Sequence, residues 1–323
     1  MNVTPLVKKI KPIFYSFLIL FCLIACKQRV IVKHNGEKDR ISFKQIFGIS
    51  YTEVARRLDN GLSFSKDGYQ LEPDWQMEFI SNDSVCIYSP IKKEYINFPL
   101  TCGYDSIFNT ARTWFKAREI TRDSLLFQLI EAHADSIDTR GSNVYMTFYA
   151  DNYIKNVIHK DTATVKAPGK QDTLFVKSLV DSAEKDYHKA FSARQPPIVE
   201  SKSNLVKVTR RYALGDMLNN FDTSDNYMYP TYDIAINQAY ANFYYSFSVF
   251  VDNRGDIHYD KPLIPFTGKG YEESYTALSK AVMERYLKKY LRIRPGSTLG
   301  MIHPSSISIH VEGKKIVRRR LVK

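Results

Sequence analysis

From Phe243 to Val251 the side chains alternate without a break. Phe243, Tyr245, Phe247, Val249 and Val251 fall on one side, and Tyr244, Ser246, Ser248 and Phe250 on the other. A period of two is the geometry of an extended strand with one buried face. The turn Asp252-Asn253-Arg254-Gly255 follows, with Gly255 free to take positive φ, and Asp256 to Asp260 returns as a second strand. An amphipathic helix is predicted from about Tyr271 to Leu291, carrying Tyr271, Tyr275, Leu278, Val282 and Tyr286 on one stripe. Pro295-Gly296 ends it. Ser305 to Val311 is the last strand, with Ile307, Ile309 and Val311 facing inward. The order is strand, strand, helix, strand.

The first half of the chain repeats this theme. Trp75–Ile80, Ser84–Ser89 and Glu94–Leu100 are short, rich in β-formers and bounded by turn residues. If Ser89 pairs with Glu94 around Pro90–Lys93, Cys86 faces Asn97. Ile107, Phe108, Ala111, Trp114 and Phe115 recur at helical spacing behind Asp105 as N-cap, which predicts a helix with Trp114 as a core anchor. Ser124–Ile137 and Asn143–Tyr149 read as two strands around Asp138-Thr139-Arg140-Gly141. Ahead of these, Val30–Val32 fits a short strand, and Ser42–Leu58 has helical content limited by Gly48 and Asn60-Gly61. Between the halves, Asp172–Phe191 is an amphipathic helix using Leu174, Phe175, Leu179, Val180, Ala183 and Tyr187, and Pro196-Pro197 forces an extended stretch. Tyr and Phe number 22 and 19, a composition that favours sheets. The fold class expected is α+β, two small sheet-plus-helix domains.

The amino terminus is a different kind of segment. Lys8, Lys9 and Lys11 precede Ile13–Ala25, which is almost wholly apolar. That run is shorter than the roughly 20 residues a helix needs to span a bilayer, and it suits the apolar core of a secretory signal. Leu23-Ile24-Ala25-Cys26 resembles the lipobox of bacterial lipoproteins. The resemblance implies cleavage before Cys26, acylation of its thiol and a membrane anchor of two or more chains, which holds firmly where one is marginal. Lys27 stands where the inner-membrane retention signal of enteric lipoproteins has Asp, and the acidic cluster of surface-exposed Bacteroides-like lipoproteins is missing. By those resemblances the protein belongs to the outer membrane, on the periplasmic side. The domain reading is then a signal peptide at 1–25, an N-terminal domain at 26–150, a connecting region at 151–225, a C-terminal domain at 226–313 and a basic tail at 314–323.

The net charge of +12 is unevenly placed. Three charges belong to the leader lysines and six to Lys314, Lys315, Arg318, Arg319, Arg320 and Lys323, so the body carries about +3. That excludes a nucleic-acid surface as the expected partner. The tail is either a solvated end or a contact for anionic head groups. With Cys22 in the leader and Cys26 lipidated, Cys86 and Cys102 are left in an oxidising compartment. They form a disulfide if the chain folds back after Thr101, and otherwise stay as buried thiols. The strand register favours the second, because it sets Cys102 about 16 Å along from the residue facing Cys86.

Tyr229-Pro230, the strand ending Phe250-Val251-Asp252 before Gly255, the following helix, Arg294-Pro295-Gly296 and Ile307–Val311 together resemble the TonB C-terminal domain family. The match covers about a quarter of the chain. It lacks the exit aromatic and the Pro-rich linker, and a lipid anchor replaces the energy-coupled helix. In that family the domain grips a peptide by adding a strand to a sheet edge. The resemblance therefore implies a peptide-binding edge at Ile307, Ser308, Ile309, His310 and Val311, unless that edge is covered or blunted by Lys314 and Lys315.

The seven histidines (His34, His133, His159, His188, His258, His303 and His310) are scattered, with no metal-ligand spacing. His303 and His310 read as surface residues flanking the last strand, and Asp222 and Asp225 as loop carboxylates. No nucleophile elbow, Cys-x-x-Cys, phosphate loop or dinucleotide fingerprint is present. No metal or cofactor is expected. Two functions fit: a lipid-anchored, non-enzymatic envelope protein that binds a protein or peptide or serves as an accessory module, and an envelope hydrolase acting on peptidoglycan or glycan.

Overall fold

The computed structural model describes residues 40–90, 92–133, 136–137, 141–213 and 224–315. The lipobox with Cys26, the strand at Val30–Val32, His34, Asp222 and the end of the basic tail lie outside the described residues.

The N-terminal half is a single large antiparallel sheet. Its strands are β1 (Ser50–Leu58), β2 (Gln76–Ser81), β3 (Ser84–Ser89), β4 (Glu94–Pro99), β5 (Thr101–Cys102), β6 (Ile107–Thr110), β7 (Thr113–Ile120) and β8 (Ser124–Ile130). A small pair, β9 (Ala132–His133) and β10 (Ser136–Ile137), precedes β11 (Val144–Ala150). The order across the sheet is β4-β3-β2-β1-β11-β8-β7-β6-β5. The two edge strands, β4 and β5, are consecutive in the chain and separated only by Leu100. One extended segment thus pairs with β3 through its first part and with β6 through its last. The sheet closes on itself as an up-and-down barrel of eight staves, in which closure removes most of the exposed edge.

Alternation fills the interior. Met77 and Phe79, Val85 and Ile87, Leu125 and Phe127, and Met146 and Phe148 are all buried within one cluster. Phe43 and Ile46, around a 3-10 turn at Lys44–Ile46, plug one end. From there aromatic rings run through the barrel. Phe43 stacks on Phe79 at 4.2 Å, Phe108 lies 5.1 Å from Phe43 and 5.0 Å from Phe127, and Phe115 stacks on Phe108 at 5.1 Å. Trp75 meets Phe115 edge-on at 5.5 Å. Such pairs add to area burial.

This barrel replaces the expected α+β domain, and two local errors account for the difference. The predicted helix behind Asp105 is the hairpin of β6 and β7. Asp105 and Ser106 have φ of 54° and 60°, and the turn residues Ala111 and Arg112 have 45° and 64°, all left-handed and incompatible with an α-helix. The pairing sets Phe108 directly opposite Phe115, both facing inward. Trp114 consequently points outward and is half-buried rather than a core anchor. The predicted helix at Ser42–Leu58 is a 3-10 turn, a left-handed Gly48 (φ 70°) and β1. A bulge between Glu53 and Ala55 shifts the β1 register, so Tyr51 and Glu53 before it and Arg56 after it share the inner face. That shift erases the period of two.

Other expectations hold. β3 and β4 pair with Ser89 opposite Glu94 and Cys86 opposite Asn97. The helix in the connecting region spans Lys170–Lys185 and buries Val176, Val180 and Ala183, although Leu174 is exposed.

The second sheet has five strands in the order β13 (Val206–Arg211), β14 (Thr231–Ala239), β20 (Ser305–Lys315), β15 (Phe243–Val251) and β16 (Ile257–Pro262). A helix at Lys269–Val282, continued by a π turn at Met283–Leu287, packs Val282, Met283 and Leu287 on its apolar face. Two short ladders complete it, β12 (Ile198–Ser201) with β17 (Leu291–Arg294) and β18 (Ser297–Thr298) with β19 (Met301–Ile302). Ile198–Ser201 and Val206–Arg211, assigned above to a connecting region, are therefore strands paired with the C-terminal region. The alternation read from Phe243–Val251 is realised as β15. Among the described residues no helix is long and apolar enough to cross a membrane.

Candidate functional site

The Ile307–Val311 edge is not an edge. β20 pairs in parallel with β14, Ser308 opposite Thr231 and Val311 opposite Ile234, and antiparallel with β15, Ile307 opposite Val249 and Val311 opposite Tyr245. Its backbone groups are committed on both sides, so Ile307, Ser308, Ile309, His310 and Val311 cannot accept an added strand. The strand that occupies this side is Thr231–Ala239, directly after Tyr229-Pro230, and Val206–Arg211 extends the sheet beyond it.

The cysteines are separate. Cys86 and Cys102 are half-buried and not bonded to each other, and Cys102 Sγ contacts the Asn82 carbonyl at 3.5 Å. His303 is fully buried, against the surface reading: its ring stacks on Phe191 at 3.8 Å, Nδ1 donates to the Pro304 carbonyl and Nε2 lies 2.9 Å from the Thr298 hydroxyl. Burial pushes its pKa down to about 4. His310 is half-exposed beside Ser246 at 2.6 Å. Asp225 opens a short helix, Asp225–Met228. Among the described residues no three metal-ligating side chains cluster.

What the sequence did not point to is a cavity of about 410 Å³ at the unplugged end of the barrel. It exists because closure is incomplete. Thr101 pairs with Asn109 and Cys102 with Phe108. Continued backward, that register would set Phe98 opposite Arg112, but no such pair forms beyond Leu100. β4 and the β6–β7 hairpin splay apart, and Ile96, Phe98, Ala111, Arg112 and Thr113 line the gap. Ile87, Leu129 and Met146 supply the rest of the apolar wall, and Trp75, seated on Phe115, also borders the cavity.

The mouth is polar and heavily charged. Glu53, wholly buried, receives Arg56 through two bonds of 2.8 and 2.7 Å and the backbone amides of Asp74 and Trp75 at 2.9 and 3.0 Å. Burial pushes the Glu53 carboxyl up and Arg56 pulls it back. Four donated hydrogen bonds are what a carboxylate demands, so the pair is ionised. Burial opposes the Arg56 charge too, but Glu53 outweighs it and raises its pKa. Arg194, from the strap between the helix at Lys170–Lys185 and β12, bonds Glu72 and Gln70 and lies 4.3 Å over the Tyr227 ring. Tyr227 Oη accepts from the Gln70 amide at 3.0 Å. Asp74 sits in the field of Arg56, Lys166 and Arg194. The loop 69–75 and Tyr227 therefore roof the mouth on one side as a fixed network.

No protein-family model matches the chain, and no curated protein matches it. Its class is therefore set by fold and site alone: a nearly closed β-barrel with an apolar cup at one end, joined to a helix-backed mixed sheet.

Proposed function

We propose that this protein is a non-enzymatic, lipid-anchored binding protein of the cell envelope, whose small ligand sits in the barrel cup. The supporting observation is the cavity itself. Protein interiors are close-packed, and the plugged half of this barrel obeys that rule with six phenylalanines in contact. The other half leaves about 410 Å³ between apolar walls, within the roughly 300–1,000 Å³ of small-molecule sites. Eight-stranded barrels are just wide enough to hold one small ligand. The anchor reading at Cys26 places this cup at the periplasmic face of the outer membrane, where Cys26→Ala releases the protein into the soluble fraction.

The experiment uses N-phenyl-1-naphthylamine, a neutral probe that fluoresces in apolar surroundings. Saturable binding is expected, together with its loss in Leu129→Trp and Met146→Trp, which fill the cavity. Native circular dichroism in both variants separates filling from misfolding. Absence of saturable binding, or equal binding in the folded filled variants, overturns the reading.

A further inference from the structure

Among the described residues, the cations around the mouth other than Arg112 are already committed. Arg56 is spent on Glu53, and Arg194 on Glu72. Lys166 donates to the Pro73 carbonyl and stands in the field of Asp74. Arg112 lines the same cavity and makes no ion pair or hydrogen bond to any described residue. Among the described residues it is the lining cation without a partner.

Its placement comes at a backbone cost. Arg112 and Ala111 are the two central residues of a hairpin turn that requires positive φ at both, where Asn-Gly is the favoured pair. A left-handed non-glycine residue costs of order 1 kcal/mol or more. The strain places Arg112, an exposed residue, at the splayed seam, where it lines the cavity together with Phe98.

An unpaired guanidinium at the rim of an apolar cup recognises one kind of molecule. We infer that the cup takes a singly charged anionic amphiphile, an aliphatic or aromatic carboxylate, tail first between Ile87, Phe98, Leu129 and Met146, with its carboxylate on Arg112. A neutral ligand leaves Arg112 unused. A cationic one meets Arg112 with like charge, while Glu53 and Glu72 are held by Arg56 and Arg194. This rests on the cup reading above and adds the head group.

The test compares three ligands with one ten-carbon tail, decanoate, decanol and decylamine, titrated below their micellar concentrations by Trp fluorescence or calorimetry. Decanoate is expected to bind most tightly. Arg112→Gly relieves the turn strain and should fold at least as well as the parent. It is expected to weaken decanoate about ten-fold or more, the worth of a charged hydrogen bond, and to leave decanol unchanged. Arg112→Lys restores part of the loss. If decanol or decylamine binds as well as decanoate and Arg112→Gly changes nothing, the anion assignment falls while the cup reading stands. If none of the three binds, the cup reading falls with it.

Discussion

The cavity owes its character to a few residues whose neighbours decide what each is free to do. Arg56 and Arg112 border the same space, but Glu53 neutralises the first and no described residue engages the second. Burial alone did not create that contrast. It follows from the bulge in β1, which turns Glu53 and Arg56 to one face. His303 shows the same dependence on surroundings. Stacked on Phe191 with its Nδ1 proton held by the Pro304 carbonyl, it is neutral in the folded state and titrates near 4. In the unfolded chain it titrates near 6.5, so between the two values the unfolded state binds more protons. Stability is therefore full above about pH 6.5 and declines as the pH falls toward 4, by about 3 kcal/mol from this residue. Urea midpoints measured across that range should fall in the parent. The difference profile against His303→Phe isolates this histidine, and parallel profiles would show that it does not carry the effect.

At the level of elements, legibility tracked how local the deciding interaction is. The β3–β4 hairpin was readable to the residue because its strands are bounded by turn signals and its register is fixed a few residues away. β15 was readable because its alternation runs unbroken. The β6–β7 hairpin was not. Phe108, Ala111 and Phe115 fit helical spacing, and its turn carries Ala-Arg where a sequence reader looks for Asn-Gly. The strain that hid the turn is the same strain that presents Arg112. The β1 bulge hid a strand in a like manner. Resemblance misled at β20 for the opposite reason: the matched residues are there, but β14, within the match, pairs along the edge, and β13 extends the sheet beyond it.

On the scale of the whole chain, closure was beyond sequence pattern altogether. Tyr51 pairs with Ala150, and β4 and β5 become opposite edges of one sheet only because the barrel curls round to meet itself. The barrel and the five-stranded sheet are tied by a third core, in which Phe64 from the loop after β1 packs with Val176, Val180, Ala183 and Phe191, with Met301 against them. Arg194 and Tyr227 reach from the same region to roof the cup. The C-terminal part thereby helps to hold the mouth in shape. Methionine methyl groups report on this arrangement at defined depths: Met146 borders the cavity, Met77 belongs to the barrel core without bordering it, and Met283 lies in the other sheet's core. The most direct test is a methyl-labelled NMR titration of the intact protein with decanoate. The account predicts a saturable shift of the Met146 methyl, with Met283 unmoved and Met77 changed far less. A Met146 signal that stays fixed while decanoate binds, or shifts no larger than those of Met283, would contradict it.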